Sequence, residues 1–146
     1  MAIRYWLAVV QQDHVLRGVA LGIAQVNHGA RAPLAAMNVS DGFVYYSPRK
    51  AIGGEPLKAF TAIGRVADDS VYQASDGEFR PWRRRVDYRE DAEPAAIRPL
   101  IGALDFTRNA PNWGYQLRRG VIELTKHDFE LIGQQMRPSD PADRAR

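Results

Sequence analysis

The chain carries few side chains able to do proton or metal chemistry. Its three histidines are His14, His28 and His127, and it has no cysteine, so thiolate ligands, thiol nucleophiles and disulfides are all excluded. No His-Glu-x-x-His, no pair of histidines at ligand spacing and no Gly-x-Ser-x-Gly turn occurs. His14 follows Asp13 at an expected helix start, where a cap and an exposed ring are the plain reading, and His127 falls in the first turn of the expected last helix. His28 differs: it lies between Asn27 and Gly29 in a polar loop, able either to serve a ligand edge or to be a satisfied loop histidine. Asp68-Asp69 and Glu90-Asp91 fall at predicted turns, so no metal site is expected from them. Gly18, Gly22 and Gly53-Gly54 match no phosphate-binding fingerprint. No catalytic residue and no cofactor are therefore expected.

The stronger signal is aromatic residues interleaved with arginine. It comprises Trp6, Tyr45-Tyr46-Ser47, the run Phe79-Arg80-Pro81-Trp82-Arg83-Arg84-Arg85, and Trp113-Gly114-Tyr115 near Arg118-Arg119. Stacking a base on an aromatic face contributes about 1–3 kcal/mol, and arginines add phosphate contacts that carry no sequence information. Of 20 cationic residues only Lys50, Lys58 and Lys126 are lysines. Guanidinium forks grip phosphate bidentately and lie flat on rings, although a genome rich in G and C enriches arginine too. The net charge of +3 adds only weak support for an anionic partner. The competing reading makes Trp6 and one of the adjacent tyrosines core residues, since neighbours on a strand face opposite sides, and makes Arg83-Arg84-Arg85 a solvated edge strand.

These residues need a scaffold, and 146 residues at 45% hydrophobic content suit one domain with one core. Ile3 to Val10 reads as a buried strand, with Asp13 as the N-cap of a helix from His14 to Leu21 ended by Gly22. Gln25 to Arg31 reads as a loop and Pro33 to Met37 as one helical turn. Phe43 to Ser47 forms a strand stopped by Pro48. Ala59 to Ala67, the Asp68-Asp69 turn and Val71 to Gln73 suggest a hairpin. Phe79 to Tyr88 alternates like a strand, with Trp82, Arg84, Val86 and Tyr88 on the packed face and Arg83 and Arg85 on the wet one. Ile97 to Leu104 reads as a helix and Gly120 to Leu124 as a closing strand. Thr125 and Asp128 form a capping-box-like start to a last helix ending near Met136. The expected class is α+β: a small β-barrel of about six strands with short flanking helices, over residues 1–137, followed by a disordered tail over 138–146. No signal segment or membrane-length apolar run is present, so a cytoplasmic location is expected.

In order along the chain, Arg4-Tyr5-Trp6-Leu7, Gln25-Val26-Asn27-His28-Gly29, Asp41-Gly42-Phe43-Val44-Tyr45-Tyr46-Ser47-Pro48, Phe79-Arg80-Pro81-Trp82-Arg83-Arg84 and Asn112-Trp113-Gly114-Tyr115-Gln116 resemble the EVE domain proteins. The resemblance spans all but the tail. It implies a PUA-like fold related to the YTH and ASCH domains, with a pocket that accepts a flipped or unpaired base, methylated adenine in RNA for YTH relatives and modified cytosine in DNA for EVE relatives. Carried over by position, Trp6, Asn27, His28, Tyr46 and Ser47 match pocket elements, and Trp82 and Trp113 are further candidate walls. Where many members have lysine after His-Gly, this chain has Ala30 and then Arg31. The expected function is non-catalytic reading of a base on RNA or DNA, with Asn27, His28 and Ser47 on its edge. Trp6, Trp82, Trp113, Tyr46 and Tyr115 are the candidate aromatics, and Arg31, Arg80, Arg83, Arg84 and Arg85 the candidate cations. Two alternatives stand beside it: a small enzyme acting on a nucleotide or anionic metabolite with His28 as acid or base, and a protein-interaction module without a base pocket.

Overall fold

The computed structural model describes residues 2–138. Of the expected tail, only Pro138 is among them, and residues 139–146 lie outside the described part of the chain. Strand β1 (Tyr5–Val9) leads into helix α1 (Gln12–Leu21), the two-residue strand β2 (Ile23–Ala24) and the single turn α2 (Ala32–Ala35). Strands β3 (Gly42–Arg49), β4 (Pro56–Gln73), β5 (Trp82–Tyr88) and β6 (Ala95–Ala96) follow. After them come α3 (Trp113–Gln116), β7 (Val121–Leu124) and α4 (Lys126–Gln135).

The strands form one mixed sheet in the order β2-β5-β4-β3-β1-β7, with β6 also paired to β4. β1 and β3 run parallel, which needs a crossover, and α1, β2 and α2 supply it. The class is α+β, as expected, but the sheet has seven strands and is an open path rather than a closed barrel. β2, at one end, is only two residues long, so it offers little ladder to β7 at the other. A side chain spans the gap instead, as Asn27 Nδ2 donates to the Arg119 carbonyl at 3.4 Å.

Alternation along the central strands divides the core in two. Trp6, Ala8, Phe43 and Tyr45 face one cluster with Val15 of α1 and Leu34 of α2. Leu7, Val44 and Tyr46 face the other with Phe129 and Ile132 of α4. β3 is buried on both sides, so its near-continuous apolar run is the pattern of a doubly covered strand.

Several local expectations are corrected. The hairpin at Asp68-Asp69 does not form, because β4 runs on for 18 residues and its ladder with β5 shifts between Val66 and Val71. The turn residues are absorbed as a bulge. β3 continues past Pro48 to Arg49, with a register shift at that point that spares the proline a ladder donor. The expected 97–104 helix reduces to a 3₁₀ turn, Arg98–Leu100, around Pro99. α1 has its N-cap at Gln11 rather than Asp13, and it ends as expected at Gly22 in left-handed conformation (φ 69°).

The start of α4 is held by a denser network than a capping box. The Thr125 hydroxyl accepts from the Asp128 amide at 3.2 Å, while the buried Asp128 carboxylate accepts the amides of Asp105 (2.7 Å) and Phe106 (3.1 Å). The Thr125 hydroxyl donates to Asp105 at 2.6 Å, which holds the Asp105 carboxyl below its ordinary value. Among the described residues no helix is long and apolar enough to cross a membrane.

Candidate functional site

The Asn27-His28 loop opens onto a cleft of about 520 Å³ between α1, the end of β1 and β5. Its shape starts from backbone geometry. Asn27, His28 and Gly29 have φ of 46°, 57° and 86°, three successive left-handed residues, of which only the last is free of strain. Gly29 is obligatory for a second reason, since a Cβ there would lie 2.7 Å from that of Pro81. The loop is pinned to β5, as the Trp82 amide donates to the Gly29 carbonyl at 2.9 Å. This turn leaves both Asn27 and His28 exposed at the cleft mouth.

The cleft floor is Tyr45. Its hydroxyl accepts from the Gln25 amide at 3.0 Å and donates to the Gln25 carbonyl at 3.2 Å, and burial pushes the phenol up to about 12. The Gln25 side chain in turn accepts from Arg83 Nε at 3.0 Å. His14 and Arg17 line the cleft from α1, and Ile52 and Phe79 from the facing loops. Ile52 is 83% exposed and Phe79 45%. Exposed apolar side chains around a concave polar site are what a flat ligand with an apolar face requires.

The other candidates disperse. Trp6 is buried, its indole N–H held by Asp41 at 2.9 Å, with the Arg4 guanidinium 4.6 Å from its ring. Tyr46 packs edge-on to Phe60 in the α4-side core, and the buried Ser47 hydroxyl meets that of Thr61 at 2.7 Å. Arg84 is 2% exposed and donates to the carbonyls of Leu34 (3.0 Å), Met37 (2.6 Å) and Asp68 (2.6 Å). It is a strut that ties α2 and the β4 bulge to β5. Trp82 packs against the α1-side core under the Arg31 guanidinium, 5.3 Å from its ring. Arg85 sits beside Asp68 and over Tyr72, and Arg80 is exposed with its carbonyl bonded by Gln73. Trp113 packs edge-on to Phe106 against the opposite core, and Tyr115 stands 68% exposed near Arg118. Of the sequence candidates, Asn27, His28 and Arg83 are thus brought together in the cleft.

Sequence reasoning missed Gln25 and Arg17, and of the pair Tyr45-Tyr46 it chose Tyr46 where the structure brings Tyr45 to the cleft. Gln25 lies two residues before Asn27, and Arg17 lies one turn after His14 on α1; both spacings are visible signals. A donor set for a metal also exists in Asp105, His127 and Asp128, whose ligating atoms lie within 4.8 Å of one another. Those oxygens are already engaged: both of Asp128 by amides, and Asp105 by Thr125 and by Arg108 at 2.7 Å. The group reads as a helix cap.

Residues 4–135 match the EVE domain family. A UPF0310 protein of Renibacterium salmoninarum is 51% identical over 133 residues, covering 89% of this chain and 93% of its own length. The UPF0310 protein YdcG of Bacillus subtilis is 39% identical, with coverage of 93% and 94%. Two solved structures share the fold. A Rhodopseudomonas palustris protein has a TM-score of 0.58 at 19% identity, covering 92% of this chain and 93% of its own. An Agrobacterium tumefaciens protein has 0.58 at 15%, covering 94% and 99%. The chain therefore belongs to the EVE domain family.

Proposed function

We propose that the protein binds nucleic acid without catalysis, taking one unpaired or modified base into the cleft beside the Asn27-His28 loop. The observation that carries this reading is the left-handed Asn27-His28-Gly29 turn, which holds an amide and an imidazole at the mouth of a cleft of about 520 Å³ next to the Gln25–Arg83 pair. Backbone strain persists where surrounding structure over-determines it, and such sites concentrate at ligand clamps. Asn27, His28 and Gln25 offer the mixed donors and acceptors that a base edge demands. Phe79 supplies an aromatic wall in place of the tryptophans, which pack elsewhere. Arg17 and Arg83 supply cations for flanking phosphates. Extruding a base costs a few kcal/mol, so damaged, mismatched or single-stranded positions are favoured.

The test is fluorescence anisotropy with short oligonucleotides bearing one unpaired or modified base, against the matched duplex, over a range of salt. The expected result is tighter binding to the unpaired or modified site. Arg83→Gln reduces the salt slope by about 1, and His28→Ala costs about tenfold in affinity, the value of an edge hydrogen bond. Equal affinity for the duplex, or His28→Ala binding like the parent, overturns the proposal. Turnover of a nucleotide that His28→Ala abolishes would make the protein an enzyme instead.

A further inference from the structure

We infer that a second cleft, of about 510 Å³ between α4, the middle of β4 and the C-terminal end of β5, is a phosphate site built on Arg65, Arg89 and Arg137. The key atom set is on Arg89. Among the described residues its buried Nε and Nη2 have no hydrogen-bond partner, and Asp91 pairs with Nε at 3.5 Å, the side chains being 31% exposed for Arg89 and 66% for Asp91. The ion pair with Asp91 leaves both donors without a hydrogen bond, and buried donors of this kind call for a ligand, water or ion. A tetrahedral oxyanion meets this need, because its oxygens match the two parallel donors of a guanidinium edge.

The cleft walls suit an anion of that size. Arg65 lies over the Phe129 ring at 5.3 Å and donates from Nη1 to the Ser40 carbonyl at 3.1 Å, which fixes its position and leaves further donors. Gly133 keeps α4 close: a Cβ there would stand 3.3 Å from Ile63 and 3.7 Å from Arg89 Nη1. Two acids, Asp87 and Glu130, also line the cleft. With Lys126 3.7 Å from Glu130 and Asp91 3.5 Å from Arg89, the guanidinium groups of Arg65 and Arg137 stand against Asp87 as the remaining acid. That balance fits a single phosphate group better than a dense polyanion.

The phosphate could come from a free phosphorylated small molecule or from one phosphodiester of a nucleic-acid strand. The outward face of β5 connects the two clefts, with Arg83 opening on the first and Asp87 and Arg89 on the second. Six residues of extended chain separate Arg83 from Arg89 by about 20 Å.

The experiment follows the Arg89 Nε–H resonance of the full chain by NMR during titration with inorganic phosphate, with ionic strength held constant by chloride. The expected result is a saturable shift with phosphate and none with chloride, with affinity reduced at least about tenfold in Arg89→Gln. Arg89→Lys keeps the charge without the fork and gives an intermediate loss, which keeps the test alive if the glutamine variant misfolds. An Arg89 resonance indifferent to phosphate in folded protein overturns the inference. Oligonucleotides then separate the sources. A salt slope reduced by Arg89→Gln for a ten-nucleotide strand but not a three-nucleotide one assigns the phosphate to a strand, and no change for either assigns it to a free molecule. Inorganic phosphate carries no base, so failure here leaves the base-binding proposal intact, and failure of that proposal leaves this one intact.

Discussion

Replacing Gly120 with alanine puts a methyl group where the Asn27 side chain now lies, about as direct a probe of the cleft as one atom allows. Gly120 has φ 79° and ψ −33° at the entry to β7, and a Cβ built on it would fall 2.7 Å from Asn27 Cγ and closer still to its Oδ1. Two effects follow and they separate cleanly. The backbone must hold a non-glycine residue in a sparsely populated region, which costs about 1–3 kcal/mol. At roughly 4 °C per kcal/mol for a chain of this length, Tm falls by about 4–12 °C. The steric contact is with the end of a rotatable side chain, so Asn27 swings away and gives up only its 3.4 Å bond to Arg119, which is too long to contribute much. The stability loss is therefore almost all backbone strain. Binding suffers differently, because the displaced amide no longer faces the cleft and about tenfold in affinity for an unpaired base is lost. A double-mutant cycle with Asn27→Ala reads this out by calorimetry and anisotropy. Stability changes should add within about 0.5 kcal/mol, while binding losses should not add, since both changes remove one amide. A Gly120→Ala variant that melts lower but binds like the parent, or a double variant whose affinity loss equals the sum of the singles, refutes the reasoning.

Two further outcomes test the scaffold. Arg84→Met should cost about 3–5 kcal/mol in urea melts, because the carbonyls of Leu34, Met37 and Asp68 lose a shared donor; Arg84→Lys should recover little, since one ammonium cannot reproduce the fork. Tyr45 is held neutral by burial, with its phenol raised from 10.0 to about 12, and Tyr88 is raised for the same reason. A raised folded value means that this stability is complete below the unfolded phenol value and is lost as pH rises through the folded one. Circular dichroism melts should thus show stability falling from about pH 10 toward 12, and Tyr45→Phe should flatten part of that slope; an unchanged alkaline limb contradicts the assignment.

The sequence pattern is informative wherever alternation is strong. Along β5 it places Arg84 with Trp82, Val86 and Tyr88 on the packed face, and the structure buries Arg84 there. Composition alone offers the same residue as a phosphate contact, so the two readings conflict within the sequence itself, and burial decides for the first. The loop at Asn27-His28-Gly29 is legible as polar and glycine-bearing, but its left-handed run is not, since side-chain type does not fix φ for Asn or His. Residues 67–70 mislead because an Asp-Asp pair serves a bulge as well as a hairpin turn; only the partner strand decides between them. Trp6 and Tyr46 are ambiguous for a simpler reason. Both faces of the central strands are covered, and these two side chains pack into the core while their neighbour Tyr45 reaches the cleft floor.

The pairing of Tyr5 with Leu124 and of Ala8 with Val121 also governs how this chain can be assembled. Strand β1 takes one neighbour from residues 42–46, yet its other flank stays open until residues 121–124 have left the ribosome. Contacts that span so much of the chain carry a large loop-closure cost and form late. The emerging polypeptide must then carry an unpaired edge while the residues between these strands are made, which makes that flank the place where premature pairing with another copy competes with correct folding.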